Sequence, residues 1–121
     1  MRTGILVLAL IGASSAANAM DVATFLAKAD ALKSRGPLAL LSSDLGLLKS
    51  EAQNAGRALK AERLAQAAAG QPTAYCPPAQ SGMNSDELIA AMHAIPAADR
   101  PGISVLAAMK ALMVRKFPCR G

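Results

Sequence analysis

The sequence predicts an all-α fold: a small bundle of four to five helices with one intrachain disulfide. Three observations predict it. Beyond the first nineteen residues no stretch alternates apolar and polar side chains for long, and β-branched residues are scarce, so strands have no pattern to form on. Alanine and leucine dominate, both strong helix formers, and the apolar positions recur at three- and four-residue spacing between capping residues and prolines. The 2 cysteines, Cys76 and Cys119, lie downstream of a segment that reads as an export signal. With 53% hydrophobic residues beside 9 Gly and 7 Pro, the chain is not a wholly disordered one, and 121 residues allow one ordinary domain.

Residues 1–19 have the layout of a secretory signal peptide. Arg2 supplies the positive start, Ile5 to Ile11 the apolar stretch, and Ala17-Asn18-Ala19 the small-x-small pattern that a leader peptidase accepts. The apolar stretch falls well short of the roughly 20 residues that a membrane-spanning helix requires. The expectation is a cleaved leader, a mature chain starting near Met20, a single domain over 20–121 with no membrane span, and a periplasmic or secreted location.

The first helix is expected from about Asp21 to Ser34. Val22, Phe25, Leu26, Ala29 and Leu32 form one apolar stripe, Asp21 is the N-cap, and Gly36-Pro37 stops the helix. A longer segment follows, about Leu38 to Ala69. There Leu38, Leu41, Leu45, Leu48, Ala52, Ala55 and Leu59 keep a heptad-like spacing over three repeats. Such a seam can signal a coiled coil, but because the repeat stops at Glu62 the expectation is a helix packed inside its own domain or across a homodimer, and Ser42-Ser43-Asp44 marks a place where one helix can become two. Gly70-Gln71-Pro72-Thr73 ends the segment, and an extended loop runs through Pro77-Pro78 to Gly82. The third helix starts at Asn84 as N-cap, with Glu87 closing a capping box and Met83 and Leu88 forming a hydrophobic staple. Leu88, Ile89, Met92 and Ile95 supply its inner face before Pro96. The last helix lies within about Gly102–Lys116, with Leu106, Met109, Leu112, Met113 and then Phe117 turned inward.

Charge and motifs exclude several function classes. The net charge is +5, of which Arg2 in the leader carries one, and the rest is spread along the chain. Arg115, Lys116 and Arg120 gather near the C-terminus, but no series of aromatic stacking residues interleaves with them, Phe117 being the single one among them, and cations favour a helix C-terminus in any protein. Nucleic acid is therefore not an expected partner. Two cysteines and 1 histidine do not assemble a four-ligand zinc site, so no metal is expected. His93 has no acid on its own helix face, the nearest being Glu87, six residues earlier, and Asp86-Glu87 suit a helix N-terminus electrostatically. No nucleophile elbow, phosphate loop, H-E-x-x-H or dinucleotide fingerprint occurs. The expectation is a protein without catalytic residues and without a cofactor.

Cys76 and Cys119 are too far apart for a Cys-x-x-Cys redox centre. An even count behind an export signal favours a structural disulfide, with free thiols and an intermolecular bridge between two copies as the other readings. Closing a loop of this size stabilises a fold by about 4 kcal/mol through chain entropy.

The run Tyr75-Cys76-Pro77-Pro78, Asn84-Ser85-Asp86-Glu87-Leu88, Ala94-Ile95-Pro96, Ala111-Leu112 and Phe117-Pro118-Cys119 resembles the Rap/Tai family, periplasmic immunity proteins of bacterial type VI secretion systems. The resemblance covers residues 75–119. It implies a small all-helical and often dimeric protein that binds and blocks a peptidoglycan-cleaving amidase delivered by sibling cells, with the closing cysteine pair at Cys76 and Cys119. The first half departs from the family pattern, lacking its further cysteines and its Gly-Tyr-containing helix. The expected function is thus a periplasmic immunity protein that occludes an effector amidase without catalysis. The alternative is a structural or chaperone-like periplasmic protein. A small-ligand carrier comes last, because it needs an apolar pocket and a thin, alanine-rich core is expected to leave none.

Overall fold

The computed structural model describes residues 19–79 and 82–120. All but the final residue of the expected leader lie outside the described residues. Among those described there are four α-helices, two short 3-10 segments and no strand: α1 (Val22–Arg35), α2 (Ser43–Ala68), α3 (Ser85–His93) and α4 (Val105–Lys116). The all-α expectation holds, and so does the disulfide, with the Cα atoms of Cys76 and Cys119 4.9 Å apart.

Each helix begins on a side chain that satisfies a free backbone donor. Asp21 accepts from the Thr24 N–H at 2.6 Å, Asn84 from Glu87 at 2.8 Å and Ser104 from Ala107 at 3.0 Å. Two of these caps are joined. The Val22 N–H donates to Ile103 O at 2.8 Å and the Val105 N–H to Met20 O at 2.9 Å, so α1 and α4 start side by side from one antiparallel bridge. Gly36 at φ +59 ends α1 and Gly70 at φ +70 ends α2. At the second of these, Gln71 N–H reaches Gln66 O and Gly70 N–H reaches Ala67 O, a Schellman closure.

The long second segment divides, as its serines allowed. Gly36–Leu41 forms a 3-10 turn, Ser42 caps Asp44, and α2 then runs for 26 residues, about 39 Å at 1.5 Å per residue. This corrects the heptad seam as one continuous helical stripe. Leu48, Ala55 and Leu59 are buried in the core of the same chain, with Leu45 and Ala52 packed against it, while Leu38 and Leu41 stand in the turn at 67% and 85% exposure. A helix can bury only one stripe, and the change of screw at Ser42 rotates the first two leucines off it.

The core is centred on Val22, Met92 and Val105, all fully buried, where α1, α3 and α4 meet. Phe25, Leu26 and Leu32 of α1 continue it toward α2. On α4 the buried residues are Val105, Ala108 and Met109, whereas Leu106, Leu112 and Met113 are only partly covered. The inner face is therefore turned about the helix axis, to Val105, Ala108 and Met109, from the one that the larger side chains marked. The bridge to Met20 sets that rotation, because it fixes where the first turn of α4 points.

A candidate binding cleft and an exposed leucine corner

Two surfaces stand out. The first is a cleft of about 660 Å³ between α2 and the wall formed by residues 75–77 and 82–89. Its floor is the apolar stripe of α2 (Leu45, Leu48, Ala52 and Leu59) with Met109 and Met113 of α4 below it. The facing wall is Tyr75, Pro77, Met83, Leu88 and Ile89. The next stripe round α2, Lys49, Gln53, Gly56, Lys60 and Arg63, forms the rim at helical spacing. Among the described residues no carboxylate lines the cleft.

The disulfide positions this wall. It ties Cys76 to the end of α4, and the Cys76 N–H donates to Phe117 O at 2.8 Å beside it, so the buried Tyr75 and its neighbour Pro77 are held against the bundle. Lys116 completes the attachment. Its ammonium donates to Gly82 O at 2.8 Å and to Glu87 Oε2 at 2.8 Å, and it lies 5.4 Å from the Phe117 ring centroid. That hydrogen bond holds the Glu87 carboxyl below its usual value, opposed by desolvation and assisted in smaller measure by the charge of Lys116 and the Asn84 backbone N–H. The basic cluster near the C-terminus is partly spent in this way.

Along the rim the positive charges are uncompensated. Among the described residues Lys49, Lys60 and Arg63 enter no ion pair, whereas Lys28, Lys110 and Lys116 are paired with Asp44, Glu62 and Glu87. Arg63 Nε is buried without a hydrogen-bond acceptor, a costly arrangement for a charged donor. At Gly56 an added Cβ would meet nothing within 4 Å.

The second surface is the corner between α1 and α2. Leu38, Leu40 and Leu41 are 67%, 77% and 85% exposed, and Leu47 one turn into α2 is 46% exposed. The corner is braced by Gly36-Pro37 on one side, by the Ser42 cap on the other, and by the Lys28–Asp44 ion pair at 3.3 Å across its base.

Of the residues singled out in the sequence, Cys76 and Cys119 are brought together. His93 is placed beside a carboxylate that its own helix does not supply: Asp30 of α1, with Nε2–Oδ1 at 3.3 Å. Both side chains are largely exposed. Among the described residues no group of three or more His, Cys, Asp or Glu side chains could hold a metal ion, and no helix is long and apolar enough to cross a membrane.

The cleft overturns the expectation that a thin core leaves no apolar pocket. Its signals in the sequence were indirect: a basic and polar stripe flanking the leucines of α2, a glycine within that stripe, and methionines on the facing elements. Compared with protein-family models, with curated proteins and with solved structures, the chain matches none.

Proposed function

We propose that this chain is a periplasmic immunity protein of the Rap/Tai type. It binds a type VI-delivered peptidoglycan amidase in a stoichiometric complex and occludes its substrate groove without chemistry of its own. The observation that carries the reading is the leucine corner. Three nearly consecutive leucines project into solvent from a turn braced on both sides, and a rigid apolar projection of this kind supplies the few buried anchors that dominate a protein interface. Because the turn does not depend on the partner for its shape, little ordering cost opposes binding. The export signal and the order of motifs over residues 75–119 supply the compartment and the class of partner.

The test is capture from the native periplasm of actively secreting cells, using the oxidised processed protein as bait. The reading expects one dominant partner, a wall amidase, inhibited at equal stoichiometry. It also expects a Leu40→Asp/Leu41→Asp variant to keep its helicity and melting temperature while losing the complex. Absence of an amidase among the captured proteins, or undiminished capture by the variant, would count against it.

A further inference from the structure

The cleft calls for an occupant different from the one that fits the corner. We propose that it binds a long-chain anionic amphiphile, an acyl carboxylate, with the tail on the leucine floor of α2 and the carboxylate at Lys60 and Arg63. Volume, length and charge each narrow the choice. At about 660 Å³ the cleft lies within the range of small-molecule sites, roughly 300–1,000 Å³. From Arg63 to Leu45 the floor follows α2 for about 27 Å at 1.5 Å per residue, long enough for an extended acyl chain. Met83, Met109 and Met113 line it, and methionine adapts to a flexible hydrocarbon better than branched side chains do.

Charge sets the polarity of the ligand. Among the described residues the lining contains cations and no carboxylate, so a cationic head finds no counter-charge there. Lys60 and Arg63 stand one turn apart at one end of the apolar floor, and the Arg63 guanidinium already has a buried Nε–H lacking an acceptor. A carboxylate placed there supplies that acceptor through a charge-assisted hydrogen bond. An acidic peptide helix is the other anionic amphiphile to consider. Lys49 adds a third rim cation toward the other end of the floor, but the buried orphan donor lies at Arg63, beside Lys60, and that pairing at one end favours a ligand with one head and one tail over a helix with charge distributed along its length.

The test uses palmitate below its aggregation threshold, with hexadecanol and hexadecyltrimethylammonium as uncharged and cationic counterparts, titrated into the oxidised protein purified from the periplasm. Binding is followed by calorimetry and native mass spectrometry. We expect one palmitate per chain, held at least ten-fold more tightly than either counterpart. Gly56→Leu, which extends a side chain from an open position on a helix, is expected to abolish binding without lowering the melting temperature. Arg63→Gln is expected to remove the preference for the anionic head. Equal binding of all three heads, no saturable palmitate binding, palmitate binding that survives Gly56→Leu, or occupancy by an acidic amphipathic peptide in place of palmitate would each overturn the proposal. The Leu40→Asp/Leu41→Asp variant should bind palmitate normally, so loss of effector capture and loss of ligand binding report on separate surfaces.

Discussion

Glu87 serves two ends of the chain at once. As the third residue of α3 it belongs to the helix N-terminus that Asn84 caps, and across the fold it accepts from Lys116 at the end of α4. A carboxyl held below its ordinary value in the folded state adds stability that is complete above the unfolded value and lost as pH falls through the folded one. Lys116→Ala should remove that acid-sensitive part, so the denaturant midpoints of variant and parent should converge as the pH is lowered through the carboxylate range. Parallel curves would show that the pair adds nothing. The capping role of Glu87 could be read from Asn84 and three-residue spacing, but its partner could not, because Lys116 stands twenty-nine positions further along the chain. His93 and Asp30 repeat the lesson across α3 and α1. A second residue-scale contact tests the proposed leader cleavage. The Met20 N–H donates to Glu51 Oε1 at 3.0 Å, and cleavage after Ala19 would turn that nitrogen into an ammonium. Glu51→Gln is then expected to cost the processed protein about 1 kcal/mol and the uncleaved precursor less. Equal losses in the two forms, measured by urea unfolding, would place the mature terminus elsewhere.

At the scale of elements, α2 carries most of the interpretation. Its apolar period was plain in the sequence, whereas the break at Ser42 was only allowed by the serines and not fixed by them. What spacing could not supply was the partner of the stripe, since a heptad pattern reads alike whether it faces its own domain or a second copy. The structure places Leu48, Ala55 and Leu59 in the core and leaves the corner leucines outside it. The glycines of this helix differ sharply in role. Gly56 has ordinary helical backbone and open space around it, so Gly56→Ala should stabilise the protein by about 1 kcal/mol through helix propensity. Gly70 adopts φ +70 in the closing turn, so Gly70→Ala should destabilise by roughly 1–2 kcal/mol. Thermal melts of the two variants should move in opposite directions; shifts of the same sign would refute this account of how α2 is built and ended.

For the whole molecule, the disulfide connects stability to the cleft. It closes a loop with a sequence separation of 43, and its reduction should cost about 4 kcal/mol of folding free energy. The same bond holds the Tyr75–Pro77 wall, so mild reduction should weaken palmitate binding before the bundle unfolds. Loss of both in a single transition would mean that the wall has no independent freedom. The bundle, the caps of α1 and α3 and the disulfide were legible because each rests on local periodicity, turn chemistry or cysteine count. The cleft was not, because a cavity is what distant segments fail to fill, and periodicity says which face is apolar without saying how far apart two faces stand. The role proposed for the leucine corner is tested by survival in mixed culture. Cells lacking this gene should lyse beside siblings that secrete the amidase, and the parent protein should rescue them while the Leu40→Asp/Leu41→Asp variant, exported and folded equally well, should not. Rescue by that variant, or no lysis without the gene, would contradict the account.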